Sequence, residues 1–290
     1  MRKTYKLYVG GKFPRSESGR VYQPAGNTAG NTAGNPAGNP GCNTARASRK
    51  DLRDAVLAAR KGLASWSGAS AYLRGQILYR IAEMLTSRRD AMVAELQLGG
   101  ETAAAASKEV DAAISLTTWY AGLCDKIQSL LGSQNAVNGP FFNFSTVEPT
   151  GVIGVIAPEQ PALSGLLAMV LPVLAAGNAA IVLASERAPF AALALGEVMA
   201  SSDVPAGACN VLAGSHEELG PHFAAHRDLD GMFCAGAPNA EWSALAADNV
   251  KRVRYLDLAE LAWKQTENLQ SLAYVEPFVE VKTLWHPVAP

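Results

Sequence analysis

Four cysteines, Cys42, Cys124, Cys209 and Cys234, are the side chains of this sequence best suited to covalent chemistry. No two have C-x-x-C spacing, which disfavours a zinc site or a redox dithiol, so the expectation is thiols without a shared function. The polar groups best placed for chemistry stand instead at two strand ends. Glu159 and Gln160 follow an apolar run, Val152 to Ala157, that Pro158 closes; Ser185 and Glu186 follow a second run, Ala179 to Leu183.

Both runs lack polar alternation, as suits strands buried on both faces of a parallel sheet. Between them Leu163 to Ala176 is too long for one strand and ends at Gly177-Asn178, a left-handed helix stop, so it reads as a buried helix. Strand, helix and strand form a right-handed βαβ unit, whose strand ends face one crevice. A small-molecule site is therefore expected near Pro158 to Gln160 and Leu183 to Glu186.

The alternation continues with a helix over Ala191 to Met199, a strand over Cys209 to Ala213, a helix over Glu217 to Ala225 and strands over Gly231 to Cys234 and Arg252 to Leu258. Upstream, Tyr5 to Phe13 with Gly10-Gly11 reads as a small hairpin. Ser48 and Asp51 form a capping-box signature ahead of an amphipathic helix through Leu52, Val56, Ala59, Leu63 and Trp66. Two further helices carry Ile77 to Leu85 and Met92 to Leu96, and a long fourth carries Val110 to Leu131; these stripes are core faces, and Trp119 and Tyr120 have no ligand role. Phe141 to Val147 reads as a strand too hydrophobic to stay an unpaired edge, Ala262 to Leu272 as a polar helical stretch, and Val279 to Trp285 as a terminal strand. Ala25 to Pro40 is a tetrapeptide repeat, A-G-N-T and A-G-N-P, without large apolar side chains, and is expected to be a surface loop.

Lys+Arg 25 against Asp+Glu 26 leaves a net charge of -1, which gives no basis for nucleic-acid or anionic-membrane binding. At 49% hydrophobic and 18% charged residues, 290 residues are ordinary globular material. No segment reads as a signal peptide or a membrane span, so the expectation is a cytoplasmic protein.

The order strand, Ala157-Pro158-Glu159-Gln160, helix, L-A-A-G-N, strand, Ser185-Glu186 resembles the cofactor domain of the aldehyde dehydrogenase superfamily, whose usual version reads A-P-W-N-F-P, A-L-A-A-G-N and V-L-K-P-S-E. Leu7 to Phe13 and Val279 to Trp285 match it too, most closely the second module of its family-16-like members. The resemblance implies a doubly wound α/β fold, a Rossmann-like parallel sheet with N-terminal helices and a small β oligomerisation element. It divides the chain into an N-terminal hairpin, low-complexity loop and helical part (1–134), an oligomerisation hairpin strand (135–150), a Rossmann-like part (151–262) and a linker helix with the C-terminal oligomerisation strand (263–290).

The same resemblance shows what has changed. Gln160 stands at the oxyanion-clamp amide, one methylene longer, with Glu159 in place of the neighbouring Trp. Asp257 stands at the base of L-E-L-G-G-K, one methylene short, and caps a helix in the plainer reading. No G-Q-x-C nucleophile motif follows, which implies a catalytic domain deleted between about Leu261 and Leu272. Cys234 stands where the family has the Phe of F-T-G-S and reads as a core thiol. In the cofactor groove Ser185 and Glu186 persist while Leu183 replaces the ribose-binding Lys; Gly236 persists while Ala237 replaces the pyrophosphate-binding Ser. His216 replaces a glycine and blocks the gap. These losses amount to roughly 2–5 kcal/mol, so no cofactor is expected beyond weak NAD(P) binding.

The resemblance thus implies a catalytically incomplete protein that serves as a structural or regulatory subunit with itself or a full-length aldehyde dehydrogenase. The alternative is an NAD(P)-dependent aldehyde oxidoreductase whose site a partner subunit completes.

Overall fold

The computed structural model describes residues 3–25, 42–256 and 266–288. The repeat beyond Ala25, Asp257 and the first part of the expected 262–272 helix therefore lie outside the described residues; residues 266–278 form single 3-10 turns.

A parallel sheet organises the rest. Its strands are β6 (Val152–Ile156), β7 (Ala179–Leu183), β8 (Cys209–Leu212), β9 (Gly231–Ala235) and β10 (Arg252–Leu256), in the order β10-β9-β6-β7-β8. Every residue of β6, β7 and β8 is buried, as their unbroken apolar runs require. Helices α6 (Ser164–Ala175), α7 (Phe190–Ala200), α8 (His216–Ala225) and α9 (Ala240–Ala246) link the strands in turn. The strand order reverses between β6 and β9, which places the helices on both faces and opens the switch-point crevice at the carboxyl ends of those strands. The fold is the α/β, Rossmann-like parallel sheet that the sequence implies.

All twelve residues of α6 are buried, against the sheet on one side and a helical layer on the other. That layer contains α2 (Ala71–Ser87), α3 (Arg89–Leu98) and α4 (Ala103–Leu123), followed by the short α5 (Ile127–Leu131). The single helix expected over Val110 to Leu131 is thus two: its apolar spacing runs on through Cys124 to Lys126, where the backbone turns. Helix α1 (Arg49–Ser67) packs on β6, β7 and β8, and its Ser48–Asp51 capping box is formed as the sequence predicts. The buried Trp66 indole donates to the Leu174 carbonyl at 3.0 Å, tying α1 to the end of α6.

The left-handed stop after α6 is present, with Gly177 at φ +90°. Asn178 does more than end the helix. Its Oδ1 accepts from the Gly151 amide at 2.8 Å and its Nδ2 donates to the Phe278 carbonyl at 2.8 Å, joining the foot of β6 to the tail.

Two small sheets complete the molecule. The first, with β1 (Thr4–Tyr5), β3 (Asn43–Ala45) and β2 (Val21–Tyr22) in that spatial order, leads into a tight Val9–Lys12 turn at Gly10-Gly11, and Tyr8 bridges to Val211 of β8. The second has the order β11-β5-β4, formed by β4 (Ser133–Asn135), β5 (Phe141–Pro149) and β11 (Val279–Pro287). Here the tail strand pairs antiparallel with β5 of its own chain, from Val279 opposite Pro149 to Pro287 opposite Phe141. One edge of β11 is thus satisfied within the chain, and the other has no strand partner among the described residues.

Candidate functional site

The sheet register places the sequence-predicted groups at one level. Ile156 of β6 lies between Leu183 of β7 and Cys234 of β9, and Ala235 lies beside Leu256 of β10. The residues that follow therefore emerge together: Pro158 to Gln160, Ser185 and Glu186, and Gly236. Gly236, at φ +104°, turns the chain away after β9 and donates its amide to the Leu256 carbonyl at 2.8 Å. Among the described residues nothing lies where its Cβ would stand. The next residue in line from β10, Asp257, lies outside the described residues.

Glu159, the acid in place of the family's Trp, is the hub of this crevice. One of its carboxylate oxygens accepts from the Ser185 hydroxyl at 2.8 Å and the Arg187 amide at 3.0 Å; the other accepts from the Glu186 amide at 3.3 Å. His216 Nδ1 stands 3.6 Å from the same carboxylate. The other ring nitrogen, Nε2, donates to the Ala184 carbonyl at 2.8 Å, so the imidazole bridges the β7 end and Glu159 and makes an ion pair when protonated at both nitrogens. Ser185 is completely buried and accepts in turn from the Ala188 amide at 3.0 Å.

Two further carboxylates are arranged alike. Glu186 accepts from the His216 amide at the start of α8, at 3.3 Å. Glu109, reaching over from α4, accepts from the Leu163 and Ser164 amides at 2.7 and 3.1 Å and so caps α6, which has no capping side chain of its own. Burial pushes the Glu109 carboxyl above the usual carboxylate range, while the two amides oppose that shift. Tyr22 of β2 lies in the field of the crevice. Its hydroxyl is buried with no hydrogen-bond partner among the described residues, and burial followed by the charges of Glu186 and Glu159 pushes its pKa up.

Gln160, expected to offer a side-chain amide, is exposed and donates to Glu101 at 3.1 Å. None of the four cysteines is in a disulfide, and all are buried. Burial pushes the thiols of Cys124, Cys209 and Cys234 up to about 12 and raises that of Cys42 as well. A thiol held protonated in this way is a poor nucleophile at neutral pH. Among the described residues no cluster of His, Cys, Asp and Glu could hold a metal ion, and no helix is long and apolar enough to cross a membrane. A separate cleft of about 700 Å³ between the start of α1 and the end of α8 shares no residue with the crevice, and its Arg20 and Lys50 are paired with Glu218 and Glu17.

Sequence reasoning placed Glu159 and His216 here but did not join them. The available signal was that two replacements at neighbouring strand ends are complementary in charge, one gaining a carboxylate and the other an imidazole. Glu109 carried no such signal, because its partners are backbone amides far away in sequence.

Comparison with known proteins fits this geometry. The chain is 29% identical over 256 residues to "Aldehyde dehydrogenase, cytosolic 1" of Elephantulus edwardii, covering 86% of this chain and 49% of that protein. It is 28% identical over 261 residues to "Cytosolic 10-formyltetrahydrofolate dehydrogenase" of Homo sapiens, covering 87% of this chain and 28% of that protein. Among solved structures, PnpE from Pseudomonas sp. WBC-3 superposes with TM-score 0.79 at 25% identity, over 88% of this chain and 50% of that one. Betaine aldehyde dehydrogenase from Staphylococcus aureus in complex with NAD+ superposes with TM-score 0.77 at 23% identity, over 87% and 49%, a likeness of fold. The chain thus spans half or less of the length of these relatives. The model of the Aldehyde dehydrogenase family matches residues 26–255, and the chain belongs to that family.

Proposed function

We propose that the protein is a catalytically incomplete aldehyde dehydrogenase relative that works as a structural or regulatory subunit, joined to a full-length aldehyde dehydrogenase through its β11-β5-β4 sheet. The observation that carries the proposal is the exposure of that sheet on both sides. On one face Trp285 is 59% and Val281 63% exposed, with Phe141 stacked edge-on against Trp285 at 5.7 Å. On the other, Phe142 and Leu284 are 42% and 45% exposed. A monomer gains nothing from aromatic side chains held in water on both faces of a ribbon, and the open edge of β11 is a template for a further strand.

The sheet is nevertheless well built. Asn135 donates to Asn143 and Ser145 at 2.6 and 2.9 Å, Ser145 bonds Thr283 at 2.9 Å, and Arg252 anchors the root of β11 to Glu280 at 2.7 Å. It is a preformed element whose ordering cost is met before any partner arrives.

The crevice supports the non-catalytic half of the reading. Cys234, in register with Ile156 at the strand ends, is completely buried, Gln160 is engaged with Glu101, and Leu183, His216 and Ala237 stand at the positions where the family resemblance places cofactor contacts. The proposed division of the chain is the one its motifs imply: helical and Rossmann-like parts up to about residue 262, with 135–150 and 263–290 contributing assembly strands. A cytoplasmic location belongs to the same proposal.

Co-expression with a tagged full-length aldehyde dehydrogenase tests it. The chain should co-purify at a fixed ratio and add no NAD-dependent aldehyde oxidation of its own. Turnover by the isolated chain that vanishes on substitution of one cysteine would defeat the reading. Turnover that arises only in the mixture, and only with Gln160 and Asp257 intact, would favour a site completed by the partner.

A further inference from the structure

We infer that the strand-end crevice is closed to anionic ligands by the chain's own carboxylates, and that Glu159 is the residue that decides it. This deepens the non-catalytic reading above and rests on it. In an open α/β sheet, anions bind at the crevice through loop amides, a hydroxyl and helix amino-termini. Here three of those donor sets already hold one of the chain's own carboxylates. The β7–α7 loop, with its Ser185 hydroxyl and the Glu186 and Arg187 amides, holds Glu159. The first amides of α6 hold Glu109, and the first amide of α8 holds Glu186.

The arrangement excludes a dinucleotide in two ways. An anionic group that reaches these donors meets them already satisfied, so each new hydrogen bond requires an old one to break and a buried or half-buried carboxylate to be left without its partners. It also enters a site bearing the additional charge of Glu159, which repels it across a half-buried gap that screens less than bulk water. His216, its ring braced on the Ala184 carbonyl, stands with Nδ1 3.6 Å from Glu159 and pairs with it when both ring nitrogens are protonated.

Glu109 caps a wholly buried helix, so its removal acts on stability. Glu159 is 39% exposed at its side chain and accepts from a hydroxyl and two loop amides rather than from the start of a buried helix, so its removal weighs less on the fold than that of Glu109. That asymmetry makes Glu159 the specificity determinant and Glu109 a structural group.

The test is a fluorescence titration of the purified full-length chain with NADH at neutral pH, for the unaltered protein, Glu159→Gln, Glu159→Ala, and Glu159→Ala with His216→Gly. Glu101→Gln serves as a control, since it removes a carboxylate charge next to Gln160 while leaving every contact of Glu159 in place. The unaltered chain and the control should show no saturation in the micromolar range. Both single Glu159 variants should bind at least about tenfold more tightly, as expected when a like charge leaves a partly desolvated site, and the double variant more tightly still. Micromolar binding by the unaltered chain overturns the inference. So does an absence of gain in Glu159→Gln with melting behaviour preserved, a variant that keeps the side-chain volume and decides the question even if Glu159→Ala unfolds. Gain of NADH binding without gain of turnover leaves the subunit reading standing. Cysteine-dependent turnover by the unaltered chain would remove that reading while leaving the binding comparison valid.

Discussion

Cys209 shows how a single residue separates this chain from a working thiol enzyme. It sits on β8, and burial alone pushes its thiol up to about 12. Because the folded value lies above the unfolded one, the associated stability is fully present below about pH 9 and is lost as pH rises towards 12. Cys124 and Cys234 behave alike. Unfolding free energy should therefore fall by up to about 1.4 kcal/mol per pH unit for each of the three thiols above roughly pH 9, and Cys209→Ala should flatten the slope in a denaturant series. Native protein at pH 8 should react slowly with a chromogenic disulfide and rapidly once denatured; fast labelling of one thiol in the native state would refute the assignment. The core character of Cys234 was legible in the sequence, because the family residue at that place is an apolar Phe. The joint between Glu159 and His216 was not, since replacements show what was lost and contacts between replacements need coordinates.

Elements were legible wherever one periodicity ran unbroken. The strands β6 to β10 and helices α6 to α8 stand within one or two residues of their expected limits; for β6 to β8 the runs buried on both faces admit no other period. The break between α4 and α5 was hidden, since apolar spacing continues through Cys124 to Lys126 while the backbone does not. The short strands β2 and β3 and helix α9 lacked any pattern long enough to detect. A close approach was also invisible: a Cβ on Gly62 of α1 would stand 2.5 Å from the Gly207 carbonyl carbon. Gly62→Ala should therefore cost about 2 kcal/mol or more by prising α1 from the loop before β8, despite a better helix former, and a thermal melt will read it. Asn178→Leu should cost about 3 kcal/mol, because it strands the Gly151 amide and removes one of the two donors to the Phe278 carbonyl. An unchanged melting temperature in either variant would show that these joints carry little.

For the whole molecule the decisive element is the two-faced ribbon. Because β11 pairs with β5 in its own chain, deleting the tail would also strip β5 of its neighbour, and loss of assembly would then be confounded with loss of the ribbon. Point substitution avoids this. Trp285 and Val281 lie on one face and are mostly exposed, so Trp285→Glu with Val281→Glu should leave the melting temperature within a few degrees while abolishing association. The measurement that bears most directly on the account is size-exclusion chromatography with light scattering of the full chain, alone and mixed with a full-length aldehyde dehydrogenase. The account predicts a complex heavier than either component in the mixture, lost in the doubly substituted chain. A chain that stays monomeric at every concentration, and leaves the mass of the full-length enzyme unchanged, would contradict it.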